Sequence, residues 1–172
     1  YEKIMDKEND LRWQYFTEPS VRHSGRFSTT KYNGGADNVF DDYYSFICPS
    51  VFIRAGEVVL NRAEAYVKLG EDTKALQDLN RAVLAESSGL SGDELFEAIF
   101  TERRRELAFE ALTYYDYVRN GITMRREEVS VAYSNYTGAQ YNEIDPKTSR
   151  RTVCLIPAEE LLLNDKLKQN DY

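Results

Sequence analysis

A chain of 172 residues suits one domain, or a large piece of one, and is long enough to bury a core. Its net charge of −7 and pI near 4.9 argue against nucleic acid, whose phosphates demand a basic surface. No run approaches the roughly 20 apolar residues of a membrane-spanning helix, and because the sequence shows no signal segment and does not begin with Met, it is expected to be part of a longer polypeptide whose N-terminal part, with any targeting signal, is missing.

Residues 1–50 read as a loop-rich segment continuing from that missing part. "RHSGRFSTTKYNGGADNVFDDYYSF" has Gly, Asn and Asp turns, no helical period, and short extended pieces around "RFSTTKY". The pattern changes at Val51. "VFIRAGEVVLNRAEAYVKLG" puts Ala55, Val59, Ala63 and Tyr66 at helical spacing and stops at Gly70. The small Gly56, Ala63 and Ala65 invite close approach of a second helix. "EDTKALQDLNRAVLAE" follows after a minimal turn, with Asp72 as the expected N-cap and Leu76, Leu79, Ala82 and Val83 facing the core. The pair predicts an αα-hairpin that resembles one tetratricopeptide unit, which cannot cover its apolar faces alone.

A third helix opens at "SGDELFEAIFTERRRELAF", where Ser91 and Glu94 match a capping box and Phe96, Ile99, Phe100 and Leu107 face inward. The aromatic "LTYYDYVRN" continues as helix after a bend and ends at Gly121. Residues 122–152 form a long excursion in which "EVSVAYSNY" alternates briefly. A short extended "TVCLIP" then leads to a helix at "PAEELLLND", with Pro157 in its first turn. The tail "LKQNDY" reads as loop.

Three blocks in this order carry a resemblance. "FIRAGEVVLNRAEAYVKLGE", "IFTERRRELAFEALTYYDYVR" and "LIPAEELLLNDKLKQNDY" look like the C-terminal half of SusD/RagB outer-membrane lipoproteins. Arg54, Glu57, Asn61, Ala63, Glu64 and Ala65 fit the family's first helical motif. Glu102, Arg103, Arg104, Glu106, Leu107, Phe109, Glu110, Asp116 and Arg119 fit the second. Pro157, Glu160, Asn164, Gln169, Asn170 and Tyr172 fit the third. Ala111 stands where the family usually has Gly, Thr113 where it has Arg, and Asp165 where it has Pro.

The resemblance implies an all-α, tetratricopeptide-like fold with long loops and a few short strands, in which residues 51–172 are the SusD/RagB C-terminal helical region of a single domain. It implies a lipid-anchored cell-surface protein of the outer membrane, its N-terminal anchor outside this chain. Such a protein captures oligosaccharides for a SusC-type TonB-dependent transporter and is not an enzyme. The alternative from another class is a tetratricopeptide-like scaffold that binds proteins.

The candidate sites divide by chemistry. Carboxylates set among arginines suit ion pairing better than the proton donation a glycosidase acid performs. Glu102, Arg103, Arg104, Glu106 and Glu110, with Arg54, Glu57, Asp116 and Arg119, therefore read as a structural ion-pair network, and no catalytic residue is assigned. With 13 Tyr, 8 Phe and 1 Trp the chain is rich in rings that could stack on sugar faces. Trp13 and Tyr15, with Arg12, Asn33 and Tyr43, form the candidate ligand set, against the alternative that the single Trp anchors a loop to the core. Asp37, Asn38, Asp41 and Asp42 lack the spacing of a calcium loop and read as a solvated turn. His23 is the only histidine, which excludes multi-histidine metal sites. Asn135 opens a glycosylation triplet of no weight here. Cys48 and Cys154 fit no metal spacing and read as small buried residues, with a disulfide left open. No cofactor or metal is expected.

Overall fold

The computed structural model describes residues 4–19, 27–31, 52–83, 87–125, 143–149 and 152–169. They fall into two compact units, Tyr1–Thr113 and Tyr114–Tyr172. The fold is all-α with a few short strands, the class expected from the sequence. Among the described residues no helix is long and apolar enough to cross a membrane.

In the first unit a short helix α1 (Arg12–Phe16) runs into strand β1 (Thr17–Pro19), which pairs antiparallel with β2 (Phe27–Thr29). The register sets Thr17 opposite Thr29 and Pro19 opposite Phe27. Helices α2 (Ala55–Lys68), α3 (Asp72–Ala82) and α4 (Gly92–Glu106) supply the core. Leu60 and Ala63 of α2, Ala75 and Leu79 of α3, and Leu95 and Ile99 of α4 form one buried cluster. Truncating any of these leucines would leave a cavity costing about 2–5 kcal/mol.

The expected αα-hairpin is present, with its buried stripe displaced by one position. Leu60, Ala63 and Glu64 face inward on α2, while Ala55 and Ala65 are exposed and Val59 and Tyr66 are half-buried. An amphipathic 3.6-residue period tolerates this slip, because alanines serve either boundary of the stripe. Gly56 is the small residue that matters: a Cβ there would stand 3.0 Å from Glu106 Oε1. On α3 the buried residues are Ala75, Asp78 and Leu79, with Leu76, Ala82 and Val83 half-buried against them.

Two caps differ from expectation. Glu71, not Asp72, is the N-cap of α3. The Asp72 carboxylate instead accepts from the Gly92 amide at 2.9 Å, tying the start of α3 to the start of α4. Ser91 is the N-cap of α4 but makes no side-chain cap bond, so the expected capping box does not form. The acceptor for an orphan amide at that end comes from another helix.

Helix α4 gives way to a turn at residues 107–111 before α5 (Leu112–Asn120). Leu107 and Ala108 are buried there, whereas Phe109 and Ala111 adopt φ of 68° and 60°. The bend leaves the Phe109 ring exposed. Phe96 is half-buried and stacks on Phe100, with centroids 6.2 Å apart.

The second unit carries the rest of α5, the two-residue pair β3 (Met124–Arg125) and β4 (Glu143–Ile144), and α6 (Ala158–Leu163). Gly121 ends α5 with φ of 62°. Pro157 is the N-cap of α6. Within 152–157 no strand forms among the described residues, and Cys154 is exposed, not buried. The alternating "EVSVAYSNY" lies outside the described residues, as do Cys48, His23, Asn135 and the Asp37–Asp42 cluster. The Gln169 side-chain amide closes the tail on the segment before α6: its Nε2 donates to the Ile156 carbonyl and its Oε1 accepts from the Ile156 amide, each at 2.9 Å.

Candidate functional site

The carboxylates of the "TERRREL" helix meet cations drawn from three distant segments. Glu102, Glu106 and Glu110 follow one another at four-residue intervals, which stacks them along one side of α4 and the turn beyond it. Arg12 Nη1 on α1 donates to Glu102 Oε1 at 2.5 Å and to Glu106 Oε2 at 3.2 Å. Its Nη2 and Nε hold Asp10. Arg54 Nη1, just before α2, reaches Glu106 Oε1 at 2.7 Å, and its Nη2 binds the Glu106 carbonyl and Glu110 Oε1, each at 2.8 Å. Lys31 Nζ, past β2, donates to the Glu106 carbonyl at 2.6 Å and to Glu110 Oε1 at 2.7 Å. The same ammonium lies 3.9 Å from the Phe16 ring centroid.

This convergence satisfies the rule that buried charge must be paired and hydrogen-bonded. Glu102 is 1% exposed. Among the described residues its Oε2 accepts no hydrogen bond and faces Arg105 Nη1 at 3.6 Å, so Arg12 is its principal partner there. Burial weakens the hold of Arg12 on its proton, but hydrogen bonds to Asp10 and Glu102 outweigh that and push its pKa up. Burial alone would raise the Glu110 pKa, yet bonds from Lys31 and Arg54 bring it below the usual carboxylate value. For Lys31 burial prevails, and its pKa falls despite Glu110.

The remaining sequence-predicted network residues lie elsewhere. Arg103 is buried on another side of α4, with Nη1 2.5 Å from Asn61 Oδ1 and Nε 3.7 Å from Glu64 Oε2, and Lys68 also pairs with Glu64. Arg104 is half-buried. Glu57 is half-buried and takes no part in these ion pairs among the described residues. In the second unit Arg119 Nη2 holds the buried Asp116 at 2.7 Å, three residues apart on α5. Lys31 and Asp10 are members that sequence reasoning missed, and Arg12, assigned there to the ligand set, is a third. Local spacing gave no signal for Lys31, which stands 79 residues from Glu110.

The network bears on the candidate ligand residues because it fixes α1. Trp13 is 9% exposed, with Phe27 edge-on at 4.9 Å and the Lys7 ammonium 4.6 Å from its ring centroid. Its carbonyl accepts from the Thr17 hydroxyl at 2.5 Å. Tyr15 turns the other way and is 73% exposed, while its carbonyl accepts from the Thr30 hydroxyl. Of the three rings of "RWQYF", Trp13 is buried as an anchor, Phe16 is half-buried beneath the Lys31 ammonium, and Tyr15 offers its faces to solvent. Arg12 is committed to carboxylates. Asn33 and Tyr43 lie outside the described residues. Among the described residues no group of three or more His, Cys, Asp or Glu side chains could hold a metal ion.

The profile of the SusD family matches residues 13–172. Among solved structures, the chain is similar to a protein of Bacteroides vulgatus ATCC 8482 ascribed a sugar-binding role. That match has 34% identity and a TM-score of 0.55, and covers 69% of this chain and 27% of that one. It is also similar in fold to a SusD superfamily protein of Bacteroides thetaiotaomicron VPI-5482, at 24% identity and a TM-score of 0.77, over 99% of this chain and 39% of that one. The chain therefore spans well under half the length of either structure. A comparison with curated proteins finds no match.

Proposed function

The chain belongs to the SusD family, and from that premise we propose that it is the helical C-terminal region of a cell-surface protein that captures oligosaccharides. The captured sugar is passed to a SusC-type TonB-dependent transporter, and the complete protein is held at the outer membrane by an N-terminal lipid anchor. The observation that carries this reading is the family match, which runs through nearly the whole chain. The solved relative ascribed a sugar-binding role supports it.

At the site, Tyr15 is the ring we assign to the sugar. Its faces are open, and the segment that bears it is pinned through Arg12 to a buried carboxylate, so little ordering remains to be done on binding. Trp13, Arg12, Asn33 and Tyr43 are proposed to add aromatic and polar contacts around it. The role is binding without catalysis. Glu102 and Glu106, the closely spaced pair on α4, are engaged by guanidinium groups, and Glu102 is closed off from solvent.

The test is calorimetric titration of the complete natural protein with a panel of soluble neutral and acidic oligosaccharides, beside a Tyr15→Ala variant. Micromolar to millimolar binding of one glycan class, weakened at least about tenfold by the variant, is expected for loss of a stacking ring. Binding that is unchanged in the variant removes Tyr15 from the site. No binding across the panel, and no β-barrel co-purifying from detergent-extracted membranes, would overturn the uptake reading in favour of a protein-binding scaffold.

A further inference from the structure

We propose that a cavity between α3 and α4 binds a small zwitterion, a dipeptide, independently of any sugar held at Tyr15. The cavity measures about 340 Å³, at the low end of the roughly 300–1,000 Å³ of small-molecule sites. Leu79, Val83 and Ala98 give it an apolar wall. Glu97, Thr101 and Arg105 line it at four-residue intervals, so they stand on one side of α4. Ser87 joins them from the loop before α4, where Asn80 clamps its backbone. The Ser87 amide donates to Asn80 Oδ1 at 2.8 Å, and its carbonyl accepts from Asn80 Nδ2 at 2.9 Å.

The polar groups of this lining are unspent. Among the described residues Glu97 makes no ion pair, and the Ser87 and Thr101 hydroxyls make no hydrogen bond. Arg105 is aimed by a single bond, from Nε to the Ile4 carbonyl at 2.5 Å. Its Nη1 stands 3.6 Å from Glu102 Oε2, beyond hydrogen-bond reach, and Glu102 is charge-balanced by Arg12. The guanidinium fork therefore keeps its terminal donors, the geometry that receives a carboxylate. Glu102 also lines the cavity, and among the described residues its buried Oε2 is an acceptor without a donor, which the N–H of a ligand beside Arg105 would supply.

The lining chooses the occupant. A carboxylate at one end and a guanidinium at the other suit a ligand that bears both charges, and disfavour a simple anion or a simple cation. Eight residues of helix set the Cα atoms of Glu97 and Arg105 about 12 Å apart. A contact of about 3 Å at each end leaves roughly 6 Å between the ligand's charges, which is the reach of two residues of extended chain. A single amino acid is too short. The hydroxyls between the two ends fit a peptide group, and the apolar wall fits an aliphatic side chain.

The test is calorimetric titration of the complete natural protein with alanyl-leucine, its N-acetylated and C-amidated form, free leucine, and 5-aminopentanoate, which carries methylenes in place of the peptide group. Alanyl-leucine should bind with a micromolar to millimolar Kd, and the capped form and leucine at least about tenfold more weakly. Glu97 is exposed, so Glu97→Gln should unfold at the parent's temperature while weakening alanyl-leucine at least about fivefold. Tyr15→Ala should leave that affinity unchanged. No binding of alanyl-leucine, a capped form that binds as well, or an unaltered affinity in Glu97→Gln would overturn the proposal. Loss of binding in Tyr15→Ala would overturn it too, by moving the ligand to the sugar site. Equal or tighter binding of 5-aminopentanoate would overturn the dipeptide assignment in favour of an ω-amino acid.

Discussion

Replacing Arg12 with Met isolates the central interaction of the network. The substitution keeps much of the apolar stem and removes the guanidinium. Glu102 then loses its 2.5 Å partner and, among the described residues, retains only Arg105 at 3.6 Å, in a site where its side chain is 2% exposed. Breaking a buried pair by removing one member costs about 3–5 kcal/mol. The lower end applies here, because Glu106 keeps Arg54 and Asp10 still accepts from the residue-12 backbone amide. About 3 kcal/mol corresponds to a fall in Tm of about 6–12 °C for a chain of this size. Urea unfolding should show the same loss as a lower midpoint at unchanged slope. The companion variant, Arg12→Met/Glu102→Met, removes both charges. Its loss should be smaller than the sum of the single losses by at least about 1.5 kcal/mol, since no orphaned carboxylate remains. An Arg12→Met protein within about 0.5 kcal/mol of the parent, or strictly additive losses, would refute the assignment of Arg12 as the partner on which Glu102 depends.

Three further outcomes follow from the same geometry. Ala111→Gly should stabilise the chain by about 0.5–1 kcal/mol in thermal unfolding, because residue 111 has φ of 60° and glycine enters that region without strain; a destabilised variant would contradict the turn. Gly121→Ala should cost about 1–2 kcal/mol, from φ of 62° and a Cβ placed 2.5 Å from Lys147 Cε, with the flexible Lys147 able to withdraw; Gly121→Asn should cost less, and equal losses would point to crowding over backbone strain. Acid should destabilise the fold through Glu110, Asp78 and Asp10, all held below their ordinary values of 4.5 for Glu and 3.8 for Asp. The unfolded chain takes up protons at these groups before the folded one does, so their contribution is full above about pH 5 and is lost as pH falls through the folded values. A urea midpoint that stays flat from pH 6 to about pH 3 would contradict that reading.

The sequence by itself determined the family and the helices beyond residue 51, while α1 lies in the segment read as loop. Three blocks of motif in order, the stops at Gly70 and Gly121, and the 3.6-residue period of α2, α3 and α4 are local properties, legible because helical hydrogen bonds close within four residues. The period did not settle which alanine of α2 faces inward, since a small residue is tolerated on either edge of the stripe. Nor did spacing reveal that the Ser91 capping box would stand unused while Asp72 served Gly92 from another helix. The tertiary structure alone decided the partners of the carboxylates. Glu102, Glu106 and Glu110 were recognisable as a set that needed cations, and Arg54 was named among them. Arg12 and Lys31 were brought in only by chain closures of 90 and 79 residues, which no pairing rule within a helix anticipates. The same closures decided the fates of neighbouring rings: pinning α1 by Arg12 buried Trp13 and left Tyr15 facing water. Residue types state which interactions a chain must make; where a buried charge finds its partner is fixed only when distant segments share one low-dielectric space.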